Sequence, residues 1–97
     1  MFAQVMFFDG ESADDQQDGI EHVRDEVIPP LTTADGLANG LWLVNRDTGQ
    51  RISVLVWESD AARDAGIAAI QAERAKDPDR HRPAPSSVQQ FEIYGRI

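Results

Sequence analysis

The segment RISVLVWE (51–58) constrains this chain more than any other. It is apolar on nearly every residue, whereas a strand with one wet face alternates apolar and polar side chains. Ile52, Val54 and Val56 point one way, and Ser53, Leu55 and Trp57 point the other. The N-terminal segment FAQVMFF (2–8) has the same character, with Phe2, Met6 and Phe8 opposing Ala3, Val5 and Phe7. Both read as buried strands, so each needs cover on two faces. The chain has only 97 residues, enough for one domain spanning 1–97. A chain of that size buries about 65% of its surface on folding, so cover from a partner helps it.

The rest of the chain supplies the first cover. Ser12 is a predicted helix N-cap, followed by Asp14 and Asp15 in the first turn, where the helix dipole favours acid. Ile20, Val23 and Val27 recur on one face of that helix, and His22, Asp25 and Glu26 fall off the stripe. On that pattern His22 reads as a solvated residue. Pro29-Pro30 ends or distorts the helix near Ile28, and Leu31 keeps the spacing for one distorted extra turn. LANGLWLV (37–44) is a second strand, joined to 51–58 by the turn Arg46-Asp47-Thr48-Gly49. Ser59 caps a second helix running to Lys76, with Ala62, Ala65, Ala69 and Ile70 near its inner side. KDPDRHRPAPSS (76–87) is a proline-rich surface loop, and VQQFEIYGRI (88–97) is a last strand with Gln90, Glu92 and Tyr94 on one face.

Strand, helix, strand, strand, helix, strand is the ferredoxin-like α+β order βαββαβ, a four-stranded antiparallel sheet with both helices on one face. Its central strands are the first and third, the two most continuously apolar segments. One apolar sheet face then remains bare, roughly several hundred Å², more than soluble monomers tolerate. A homodimer with sheets packed face to face, closing a barrel-like core, is the predicted cover.

Composition excludes several functions. Net charge is −8, with 17 acids against 9 bases, which argues against nucleic acid and against an anionic membrane surface. There are no cysteines, which rules out disulfides and thiolate chemistry and suits the cytoplasm. The N-terminus lacks the basic start of a signal peptide, and no apolar run approaches the roughly 20 residues that span a bilayer. No spacing of acids and histidines gathers metal ligands, no glycine loop precedes a helix, and no Ser-His-Asp set assembles.

The strand order, a third strand ending in Trp57-Glu58-Ser59-Asp60, the alanine-rich helix after it, the entry Asp35-Gly36-Leu37 and the closing Phe91-Glu92-Ile93-Tyr94 together resemble the antibiotic biosynthesis monooxygenase-like family. The resemblance covers almost the whole chain and implies a dimeric α/β barrel. The activities it implies include cofactor-independent oxygenation of polycyclic phenols to quinones and oxidative haem degradation, and many members of the family have no known activity. The haem branch implies an Asn on the first strand, a Trp two to three helical turns past the motif Trp and a haem-ligating His further along. Here the first strand has no Asn, the matching helical positions fall near Gly66 and Ala75, and the two histidines, His22 and His81, sit on the first helix and in the proline-rich loop instead, so haem degradation is rejected.

The oxygenase branch implies a pocket between helices and sheet lined by Asn and Trp. Asn39 and Trp57 are the candidate catalytic pair if the hairpin register makes them neighbours. Asn39 would stabilise an oxyanion and Trp57 would shape the pocket. Trp42 and Tyr94 would complete an aromatic wall, and His81 and Arg82 would clamp an anion or cover the mouth. Each has a plainer reading: Trp57 and Trp42 as core, Asn39 as part of a bulge beside Gly40, Tyr94 as a strand or dimer contact, and His81 as loop surface. Three functions stay open: a cofactor-free monooxygenase-like enzyme acting on a small aromatic or polyketide-like molecule, a non-catalytic dimer binding a small apolar ligand, and a structural dimer. No cofactor and no metal is expected in any of them.

Overall fold

Residues 1–97 are described by a computed structural model. Strand β1 (Phe2–Phe8) leads into helix α1 (Ala13–His22), a π-helical turn (Val23–Val27) and the short helix α2 (Ile28–Leu31). The hairpin β2 (Leu37–Asn45) and β3 (Gln50–Trp57), helix α3 (Asp60–Arg74) and strand β4 (Ser87–Glu92) complete the order. The sheet runs β2-β3-β1-β4 with every neighbouring pair antiparallel. This is the ferredoxin-like arrangement, with the two most apolar strands at its centre.

Local chemistry explains the elements. The Ser12 hydroxyl accepts from the Asp15 N–H and the Ser59 hydroxyl from the Ala62 N–H, each capping an orphan donor of its helix. Pro29 has no N–H to continue an α-helical ladder. The chain widens instead of stopping: Ile28 N–H bonds back to the Val23 carbonyl, and Leu31, 3% exposed, is still packed in the core. At the hairpin turn Gly49 takes a positive φ of 75°, which lets its backbone lie against Glu11.

The registers sort every side chain. On the helix side, Glu92–Phe2–Trp57–Leu37, Gln90–Gln4–Leu55–Gly40 and Val88–Met6–Ser53–Trp42 form successive rows across the sheet. Val23, Val27, Leu31, Leu55, Trp57 and Ile70 form the buried core between sheet and helices. The opposite face carries Phe91–Ala3–Val56–Asn39, Gln89–Val5–Val54–Leu41 and Ser87–Phe7–Ile52–Leu43. It is apolar and uncovered within the chain, and Leu41, Leu43 and Phe91 are about half exposed.

Four expectations need correction. His22 is not solvated: it is buried, as is Glu26, because the helix turns both residues toward the sheet beside Val23 and Val27. The last strand stops at Glu92 rather than Ile97, because β1 offers no pairing partner before Phe2, so Tyr94 lies beyond the sheet and fully exposed. The second helix stops at Arg74, and Ala65 on it faces solvent. Gly66 takes the inner position that the alanines were expected to fill, because the Trp57 ring leaves no room there for a Cβ.

Candidate functional site

The row Val88–Met6–Ser53–Trp42 is the floor of a cavity of about 370 Å³ between the sheet and the helices. Val23, Val27 and Ile70 form its roof, and the segment Arg82-Pro83-Ala84-Pro85 closes one side. A second space of about 400 Å³ opens over edge strand β2 and shares Val23, Trp42, Arg51 and Ser53 with the first. Trp42 therefore stands between them. Its ring packs over Gly40, where any side chain would crowd it.

One wall of the first cavity is polar. His22 is 6% exposed, and its Nε2 lies 2.9 Å from Nη2 of Arg74. A guanidinium only donates, so Nε2 accepts and Nδ1 carries the proton. Burial, followed by the charge of Arg74, pushes the His22 pKa down to about 4, so the ring is neutral at physiological pH. Its Nδ1 sits 3.7 Å from Glu26, too far for a hydrogen bond, and has no other partner.

Glu26 is an anchor. Its carboxylate accepts from Arg82 Nη2 at 2.6 Å, Arg82 Nε at 3.1 Å and Arg80 Nη1 at 3.0 Å. Burial pushes its pKa up, but the hydrogen bonds and charges around it, Arg82 foremost, outweigh that and hold it below the usual carboxylate range. Arg80 also donates to Asp25 at 2.9 Å. Arg82 reaches the carbonyls of Arg74 and Asp77 and so ties the end of α3 and its loop to the buried acid. Arg74 has no carboxylate of its own: burial and the nearby Arg82 charge lower its pKa, and its Nε is buried without a partner. Arg51 is different, held bidentately by Glu11 at 2.6 and 3.1 Å and stacked 4.1 Å over Phe8.

The residues singled out in the sequence do not all converge here. Asn39 pairs with Val56 after a bulge at the start of β2, so it projects from the outer sheet face and accepts from the Gly40 N–H at 2.8 Å. Trp57 pairs with Leu37, faces the helices and is 0% exposed, with Nε1 donating to Gln4 at 3.1 Å. The two are on opposite faces of the sheet. Trp42 and Arg82 do line the cavity. His81 is exposed, 3.3 Å from Asp15, outside the cavity. Tyr94 is on the surface. His22, Arg74 and Ser53 were missed. The apolar spacing of the first helix put His22 off the packed stripe, and only the register shows that Ser53 sits in the floor.

No family model matches the sequence. It is 33% identical over 75 residues to uncharacterized protein Rv2557 of Mycobacterium tuberculosis, covering 77% of this chain and 33% of that protein. It is 41% identical over 49 residues to uncharacterized protein Rv2558 of the same organism, covering 50% and 21%. The chain thus spans between a fifth and a third of the length of these relatives. Among solved structures, the monooxygenase ActVA-Orf6 of Streptomyces coelicolor, in complex with Nanaomycin D, superimposes with a TM-score of 0.73 at 19% identity, covering 99% of this chain and 89% of that one. A dimeric ferredoxin-like protein from an uncultured marine organism gives 0.69 at 13%, covering 99% and 96%. The heme-degrader MhuD of Mycobacterium tuberculosis, with two hemes bound, gives 0.67 at 17%, covering 100% and 99%. The full-length structural matches thus include antibiotic biosynthesis monooxygenases, a dimeric ferredoxin-like protein and a heme-degrader, and this chain has their fold.

Proposed function

We propose that this chain, which carries the antibiotic biosynthesis monooxygenase fold, is a dimeric cofactor-independent oxygenase acting on a small aromatic or polyketide-like phenol. The observation that carries the reading is the cavity between helices and sheet. Its floor is apolar apart from Ser53, with Trp42 at one end, and His22, Arg74 and Arg82 gather on one side of it. A flat phenol would lie over Met6 and Ser53, with its oxygen toward that side.

The chemistry asked of the protein is limited. The phenol loses its proton, and the resulting anion has the electron density to react with dioxygen. A ring carbon forms a bond to one oxygen atom, the O–O bond breaks, and the second oxygen leaves as water with two hydrogens of the substrate. The product is a quinone, and dioxygen is the oxidant. The site contributes a dry apolar bed and donors that stabilise the oxyanion as it forms. Asn39 and Trp57, the pair first suggested by the sequence, would support this site from outside it: Trp57 by packing beneath α3, Asn39 from the face that a second copy would cover.

That second copy is part of the proposal. Leu41, Leu43, Val54 and Phe91 form an apolar face that another sheet of the same kind fits. His81 and Tyr94 lie outside the cavity, and Trp42 at the end of its floor and Arg82 at its side are the substrate-contact candidates that remain. Residues 1–97 are read as one such domain.

The test is incubation of the purified protein with naphthol- and anthrone-type phenols in air. Dioxygen uptake and mass spectrometry with isotopically labelled dioxygen give the readout. Incorporation of one labelled atom with loss of two hydrogens, abolished by Arg74→Gln and by filling the floor with Ser53→Phe, supports the reading. Saturable phenol binding without turnover favours the non-catalytic binding dimer instead. No binding and no turnover would sink both.

A further inference from the structure

We infer that the ligand of this cavity carries a negative charge and that Arg74 is its counter-ion. The inference rests on the cavity being a ligand site, as proposed above, but not on oxygenation.

Charge counting around the wall leads there. With His22 neutral, Arg74, Arg80 and Arg82 face Asp25 and Glu26, which leaves one positive charge unmatched. Arg80 and Arg82 take both carboxylates at 3.0 Å or less, so the unmatched charge belongs to Arg74. Three other arginines, Arg24, Arg46 and Arg96, also lack a carboxylate, but all three are exposed, where water serves them. Arg74 is half-buried and lines the cavity. Its one hydrogen bond is to a neutral imidazole, and its Nε is buried without an acceptor. A desolvated guanidinium without an anion is costly, and fork-shaped recognition of a carboxylate or phenolate is what that group does best.

His22 strengthens the assignment. Its Nε2 accepts from Arg74, so the neutral ring holds the guanidinium in place and brings no negative charge to the wall. Arg74 is a donor there, and the nearest acid, Glu26, is already occupied. The wall therefore favours an acceptor-only head group on an apolar body.

The probes are naphthoate and naphthalenemethanol, matched in size and differing in charge, titrated calorimetrically at neutral pH. The wild type is expected to bind naphthoate about tenfold tighter or more, the margin of a charge-assisted hydrogen bond. Arg74→Gln should remove that margin, bringing naphthoate affinity to no more than that of naphthalenemethanol, and Arg74→Lys should restore part of it. Equal binding of the two probes by the wild type overturns the anion inference and leaves the ligand-site reading standing. Failure of both probes to bind overturns both readings. A margin that survives in Arg74→Gln shows that another group is the counter-ion. If Arg74→Gln does not fold, the Arg74 Nε–H resonance of the wild type decides. It should shift with naphthoate and stay fixed with naphthalenemethanol, and an unchanged resonance in both titrations overturns the assignment.

Discussion

Nη2 of Arg74 lies 2.9 Å from Nε2 of His22, which makes the buried imidazole an acceptor and fixes its proton on Nδ1. Long-range proton–nitrogen correlation spectra should therefore show His22 as the Nδ1–H tautomer near neutral pH, titrating at about 4. A ring protonated on Nε2, or one charged at pH 6, would contradict this contact.

Burial of His22, and after it the charge of Arg74, makes stability fall with acid. The folded pKa of His22 lies below its unfolded value of 6.5. Above 6.5 neither state binds the proton and there is no penalty. As pH falls from 6.5 to about 4, the unfolded chain takes up a proton that the folded chain refuses, and stability drops by up to roughly 3 kcal/mol. Glu26, with its folded pKa lowered, adds to the loss as pH falls below 4.5 and through that folded value. Chemical denaturation of His22→Gln across this range should show a flatter curve between pH 6.5 and 4. A curve parallel to wild type would assign the slope elsewhere.

Glu26 holds the Arg80–Arg82 segment onto the helices. Glu26→Gln leaves two arginines without their buried acid and should cost about 3–5 kcal/mol, the usual result of removing one partner of a buried pair. Hydrogen exchange should speed up most in residues 76–86. A uniform change over the whole chain would mean that the acid supports the core rather than this segment.

Gly66 faces the Trp57 ring, and a Cβ there would run into it. Gly66→Ala should destabilise by about 1–3 kcal/mol even though alanine gains up to about 1 kcal/mol in helix propensity. Trp57→Phe should also destabilise, because Gln4 loses its donor in a buried site, at about 1–3 kcal/mol. A stabilised Gly66→Ala protein in thermal melts would show that the ring has room to move.

Val54 sits at the centre of the outer sheet face, between Val5 and Leu41. Sedimentation should give a dimer for the wild type and a monomer for Val54→Asp, with circular dichroism unchanged. A wild-type monomer would mean that something other than a second copy covers this face.

Much of the fold was legible in the residues themselves. Two strands apolar on both faces, Phe2–Phe8 and Gln50–Trp57, had to be central, and they are. Ser12 and Ser59 announced both helices because a hydroxyl satisfies the first free N–H groups, a local event. Pro29-Pro30 announced a distortion for an equally local reason, the missing N–H. These features depend on neighbours along the chain, so the sequence by itself determined them.

The site depended on distance. Asn39 and Trp57 look like partners across a hairpin, but a bulge between Leu37 and Asn39 sets the register and sends them to opposite faces. His22 looks solvated on an ideal helix, yet it meets an arginine 52 residues away. Whether a histidine is charged, and whether an arginine has an acid, is decided by burial and by groups brought together from α1, the π-turn, α3 and the loop after it. Periodicity fixes which way a side chain points relative to its own element, whereas charge state depends on what fills the space it points into. Only the tertiary structure decided that.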